Sequence, residues 1–310
     1  MKHKLLFVAQ LIVLSLFFIA GCTSSHTSFF KSKNNFPETD SDLKLKEYIN
    51  SYLANAFNIA FAENGVLYFT DQNDTSKIKK IRLDLYSEPE PFIDLSEWIR
   101  PFNQSKPKAE GLRVDQLGRI LIAESGTGKL LRVTPDARKL EVLADSYDGY
   151  RFTTVKDLAI GQGDDLFVSS PFSGTVYRIR PKEGFIGILN EDLVRVQGIC
   201  ISPDGTRLVA AEPDASRVVV FDIPEKLIPV ESWTLVDFSP TGVEPRGLAF
   251  DNKGLLYVGL GGKKEVHVFD LEKGKQILTF DSGDDSNVLR HFKKYLYVAG
   301  GKGVRRFPID

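Results

Sequence analysis

The chain has 310 residues, with 40 Lys and Arg against 41 Asp and Glu and a formal net charge of −1. That balance gives no electrostatic case for binding nucleic acid, nor for broad attraction to an anionic membrane surface. Its two cysteines, Cys22 and Cys200, exclude a disulfide scaffold, and without a His-x-x-x-His pair or a Cys/His cluster a zinc site of the usual spacing is excluded too.

Lys2 and Lys4 precede an apolar run from Leu5 to Ala20, broken only by Gln10 and Ser15. A basic start, a short apolar core and small residues before a cleavage point predict a secretory signal over 1–21. The run is shorter than the ~20 residues of a membrane span, with an uncleaved anchor as the alternative. Ile19-Ala20-Gly21-Cys22 resembles the lipobox of bacterial lipoproteins. That resemblance implies lipidation of Cys22, and in a host with two membranes Thr23 after the cysteine implies sorting to the outer membrane, facing the periplasm. Removing 1–21 takes away Lys2 and Lys4 and moves the formal charge from −1 to −3. Residues 22–42, rich in Ser, Thr, Asn and Lys, read as a flexible tether.

From residue 43 to 310 the chain is repetitive. Six segments, 57–71, 110–124, 156–170, 197–211, 246–260 and 286–300, each read as an apolar strand, a polar turn and a second apolar strand. A third strand follows each. The units start 53, 46, 41, 49 and 40 residues apart. Short hairpins at this period predict an all-β fold, a six-bladed β-propeller with four-stranded antiparallel blades. The blades fall at 57–94, 110–143, 155–189, 198–237, 246–280 and 287–307. Blade six lacks a fourth strand before the C-terminus. Residues 43–53 are predicted to supply it and so to cover an open sheet edge, with a short helix there as the alternative. Cys200, in the apolar strand Gly198-Ile199-Cys200-Ile201, is predicted to be a small buried hydrophobe.

Several motifs are discounted on spacing. Ser125-Gly126-Thr127-Gly128-Lys129-Leu130 lacks both the first glycine and the hydroxyl residue of a P-loop, and it lies between strands. Asp71-Gln72-Asn73-Asp74-Thr75 opens like a calcium loop but has Ser76 and Arg82 where glycine and the bidentate acid belong. Asp281–Asn287 has ordinary turn composition. No nucleophile elbow is present.

The informative set is the first residue of each innermost strand, because these residues surround the mouth of a propeller's central channel. Counting back from the second strands gives Phe57, Glu110, Lys156, Gln197, Arg246 and Ser286. Two readings stand. Glu110 neutralises Lys156 beside it and Arg246 across the channel as a structural plug. Alternatively Lys156, Gln197 and Arg246 converge on an anion with Phe57 as a wall, since Arg grips carboxylate or phosphate through two parallel bonds.

Asp145 to Asp157, followed by Leu166-Phe167-Val168-Ser169-Ser170-Pro171, is similar to a stretch of the SMP-30/gluconolactonase family, which has NHL-repeat proteins as neighbours. Ile199-Cys200-Ile201-Ser202-Pro203-Asp204-Gly205 resembles another of its motifs. The resemblance implies a six-bladed propeller whose lactonases hold one divalent cation through a Glu, two Asn and an Asp. Position by position, those ligands fall on Phe57, Lys156, Gln197 and Arg246, so no metal site and no cofactor is expected. The expected function is binding of a small anionic molecule or a protein partner at the channel mouth. The alternative is a lactone hydrolase with a remodelled site, in which a divalent cation such as calcium re-enters and Glu110 is the candidate catalytic base. A protein–protein platform on the blade faces is a third reading.

Overall fold

Six small antiparallel sheets follow one another around a ring in the computed structural model, which describes residues 51–83, 88–100 and 105–309. Segments 1–21 and 22–42, with Cys22, lie outside the described residues, as does most of 43–53.

Blade one comprises β1 (Ala56–Phe61), β2 (Val66–Asp71), β3 (Asp74–Arg82) and β4 (Glu90–Asp94). Blade two comprises β5 (Ala109–Val114), β6 (Ile120–Glu124), β7 (Lys129–Val133) and β8 (Leu140–Ala144). A small hairpin, β9 (Ser146–Tyr147) and β10 (Tyr150–Arg151), leads to blade three, β11 (Leu158–Ile160), β12 (Leu166–Ser170), β13 (Thr175–Arg180) and β14 (Phe185–Asn190). Blade four holds β15 (Ile199–Ile201), β16 (Arg207–Glu212), β17 (Arg217–Asp222) and β18 (Trp233–Asp237). Blade five holds β19 (Glu244–Phe250), β20 (Leu255–Gly261), β21 (Glu265–Asp270) and β22 (Lys275–Asp281). Blade six holds β23 (Val288–Phe292), β24 (Tyr295–Ala299) and β25 (Arg305–Pro308). Each sheet runs in sequence order, antiparallel throughout.

The inner strands are apolar on both faces because both faces are covered. All five residues of β6 and of β12 are buried. Six apolar clusters do the covering, and each is drawn from two consecutive blades. No blade buries itself, so stability resides in the nearest-neighbour interfaces.

Of the segment 43–53, expected to complete blade six, only 51–53 falls among the described residues, at the seam between the last blade and the first. Blade six has three strands among the described residues, and Ser51–Leu53 is a 3-10 turn, while 43–50, the rest of the segment expected to add a fourth, lies outside the described residues. The turn packs into the seam. Leu53 is fully buried in a cluster with Ile59 and Phe69 of blade one and Tyr297 and Val304 of blade six. Phe61 also stacks on Phe292 across the seam, with ring centroids 4.6 Å apart. Cys200 is buried as its setting predicts, and burial pushes its thiol pKa up.

Candidate functional site: the mouth and floor of the channel

The innermost strands share one register, which fixes what faces the axis. Phe61 pairs with Leu67, Val114 with Ile120, Ile160 with Leu166, Ile201 with Leu208 and Phe250 with Leu256. Four residues before each first partner stand Phe57, Glu110, Lys156, Gln197 and Arg246. All five line one cavity of about 250 Å³.

Ser286 does not. It is fully buried, and its hydroxyl donates to Ser282 Oγ at 2.8 Å. In blade six Leu296 pairs with His291, because the turn through Lys293 and Lys294 is one residue shorter than in blades one, two, three and five. The sixth lining position therefore falls on Asn287, whose amide donates to Gly300 O at 2.8 Å.

Lys156 Nζ lies 2.8 Å from Glu110 Oε2, so the expected ion pair between neighbouring blades forms. Ser125 Oγ donates to the other oxygen of Glu110 at 3.4 Å. Arg246 does not reach across to Glu110. Its Nη2 donates to Glu244 Oε2 at 2.6 Å, two residues back on β19 and therefore on the same face of that strand. The Arg246 side chain passes over Gly261, where a Cβ would stand 2.4 Å from its Nε. Its side chain stays about a third exposed. The side-chain amide of Gln197 makes no hydrogen bond among the described residues, whereas the Gln197 backbone carbonyl accepts from Ser169 Oγ at 2.6 Å.

Below this ring lies a layer that the sequence reading missed. Three residues further along the inner strands stand Ala60, Arg113, Ala159, Cys200, Ala249 and Arg290. Four small side chains leave room for two arginines, and both point at Asp157. Arg113 grips Asp157 with two bonds, 3.0 Å to Oδ1 and 3.2 Å to Oδ2. Arg290 Nη2 stands 3.6 Å from Oδ1, and the Ile199 amide donates to Oδ2 at 3.2 Å. The remaining guanidinium donors reach carbonyls: Arg113 donates to Ile199 O at 3.1 Å, and Arg290 to Ile59 O at 3.1 Å and Leu289 O at 2.7 Å. Side chains from blades two, three and six, with backbone from one and four, thus form one knot on the axis. Gly111 permits it, since a Cβ there would lie 2.8 Å from the Asp157 backbone.

Two cations against one carboxylate leave the knot with an excess positive charge. Burial, and then the neighbouring Arg113, pull the Arg290 pKa below the ordinary arginine range, and Asp157 opposes them. Arg290 lines the mouth cavity and also the cavity at the far end of the channel. The knot is therefore the floor of the mouth.

The four positions onto which the resemblance carries metal ligands thus hold a phenyl ring, an ammonium, a neutral amide and a guanidinium. Among the described residues no group of three or more His, Cys, Asp or Glu side chains comes together. The nearby carboxylates, Glu110 and Asp157, are already held by Lys156 and by Arg113. This donor set does not fit a divalent cation, whose hard charge calls for several oxygen ligands free of competing cations.

A six-bladed propeller with a charged mouth and a plugged channel is the class that fold and site define. Residues 144–284 match the profile of the SMP-30/Gluconolactonase/LRE-like region. A gluconolactonase of Zymomonas mobilis is 25% identical over 180 residues, covering 51% of this chain and 50% of its own length. Strictosidine synthase-like 7 of Arabidopsis thaliana is 24% identical over 184 residues, covering 54% and 46%. The chain thus spans about half the length of the curated relatives it matches. Among solved structures, a gluconolactonase of Xanthomonas campestris superposes with a TM-score of 0.68 at 18% identity, covering 84% of this chain and 88% of that one. A luciferin-regenerating enzyme gives 0.66 at 12%, covering 83% and 92%. These likenesses establish the shared propeller fold.

Proposed function

We propose that this gluconolactonase-like propeller binds a small organic anion at the channel mouth without a metal ion. The observation that carries the reading is the replacement of the family's ligand positions by Lys156 and Arg246, above a floor that itself holds an excess positive charge. Lys156, Gln197 and Arg246 come from consecutive blades and form one arc of the wall. The arc presents to a carboxylate or phosphate two cations, Lys156 paired with Glu110 and Arg246 with Glu244, and a side-chain amide that makes no hydrogen bond among the described residues. Phe57 supplies an apolar wall.

The test is a thermal melt of the purified domain with gluconate and with hexanoate. A ligand that binds only the native state raises the melting temperature. Both acids are expected to raise it, Arg246→Ala is expected to weaken binding about tenfold, and a chelator is expected to leave the melt unchanged. One tightly bound metal per chain, together with hydrolysis of a lactone, would overturn the reading. That outcome would establish the second one, a lactone hydrolase. The similarity of residues 144–284 to the gluconolactonase region favours this second reading, as does a carboxylate, Glu110, in the cavity wall.

We also propose that the chain is held in the cell envelope by lipid on Cys22, at the outer membrane and facing the periplasm, with 22–42 as the tether. Cys22→Ser is expected to move the protein out of the membrane fraction or leave it unprocessed. A variant that fractionates and migrates like the wild type refutes the anchor.

A further inference from the structure

Two residues of the ring also face a neighbouring cavity. Phe57 and Glu110 also line a second hollow of about 480 Å³, which runs outward between blades one and two. One side of it is the turn joining β2 to β3, with Asn73 and Thr75. The other is the strand entry Lys106-Pro107-Lys108. Its acids are already matched: Asp74 pairs with Lys77 at 3.1 Å and Glu110 with Lys156 at 2.8 Å. Lys106 and Lys108 are exposed, and among the described residues neither ammonium has an ion-pair partner. The backbone that carries them is fixed. The Lys108 amide donates to the buried Glu124 at 2.8 Å, its carbonyl accepts from the Ser125 amide at 2.9 Å, and Pro107 is buried. The two lysines therefore project from a held segment, one cavity away from Lys156 and Arg246.

Two cationic stations flank a shared aromatic, Phe57, and a shared carboxylate, Glu110, that Lys156 already neutralises, and they suit one kind of ligand. We infer that the site takes an extended dianion. One acidic group sits at Lys156 and Arg246, the second is met by Lys106 and Lys108, and a neutral linker crosses Phe57. This rests on the reading of the mouth as an anion site and adds the class of ligand. Joining two weakly held charges makes the second contact intramolecular, so affinity rises steeply once the linker spans the gap and falls again when it is too long.

The experiment is calorimetric titration at low salt with hexanoate and with straight-chain dicarboxylates from glutarate to sebacate. It uses the wild type, the double variant Lys106→Glu/Lys108→Glu, and Arg246→Ala. In the wild type one chain length is expected to bind at least about tenfold more tightly than hexanoate. In the double variant the ratio of dicarboxylate to hexanoate affinity is expected to fall to about one. If hexanoate binds and Arg246→Ala weakens it, but no dicarboxylate gains or the gain survives the double variant, the dianion inference is overturned and the anion site stands. If hexanoate does not bind the wild type, both fall.

Discussion

Replacing Asp157 by Ala is expected to destabilise the domain by about 3 kcal/mol, the lower end of the loss when one partner of a buried charge pair is removed, because these side chains keep 12–16% of their exposure. Arg113 and Arg290 would be left facing each other on the channel axis with no counter-charge, and the carboxylate's bond from the Ile199 amide would go too. For a domain of this size that loss corresponds to a melting temperature lower by roughly 10 °C. Urea unfolding measures it directly. The cost comes from the mismatch, so Asp157→Ala combined with Arg113→Met is expected to recover much of it, because only one buried cation remains and its donors already reach carbonyls. A single-variant loss below about 1 kcal/mol would mean that the carbonyls alone satisfy both guanidinium groups and that the knot is not what ties the inner strands together.

The knot and the mouth differ in how far they could be read beforehand. The repeat exposes the blades because a strand with both faces covered must be apolar along its length, and because hairpin turns punctuate it at even spacing. Five mouth residues follow from one register, since four of the first five blades share a turn length and the extra residue in Ser202-Pro203-Asp204-Gly205 is visible. Ser286 falls one residue short of the lining position because the shorter turn at Lys293-Lys294 looks, in sequence, like the others. The partner of Arg246 was missed because β19 begins at Glu244, two residues before the apolar run that marks the strand. Arg113 and Arg290 had a legible signal: they are the large polar residues at a position where the other four blades carry Ala or Cys. What sequence could not supply is that both converge on Asp157, which needs the ring to be closed.

The residue that separates a binding site from a hydrolase is Glu110. In an anion-binding mouth it works against the ligand twice, by occupying Lys156 at 2.8 Å and by adding a negative charge to the wall. Two unit charges about 4 Å apart interact by ~4 kcal/mol at an effective dielectric near 20 and by ~1 kcal/mol in water. The mouth is partly exposed, so the lower part of that range applies. Glu110→Gln keeps the shape and can still hydrogen-bond Ser125 and Lys156. It is expected to tighten binding of gluconate or hexanoate about tenfold, with the gain shrinking as salt screens the wall. A general base cannot be removed with that result: in a hydrolase the same variant is expected to lose about 10²–10⁴ in turnover while changing substrate affinity little. Calorimetry with the acid and a lactone-hydrolysis assay on the same preparation read both quantities. Tighter acid binding with no turnover to lose leaves Glu110 as the counter-charge that tunes the mouth. Unchanged or weaker binding, with turnover abolished, assigns it the role of base and makes the propeller a hydrolase whose chemistry runs without the family's metal ligands.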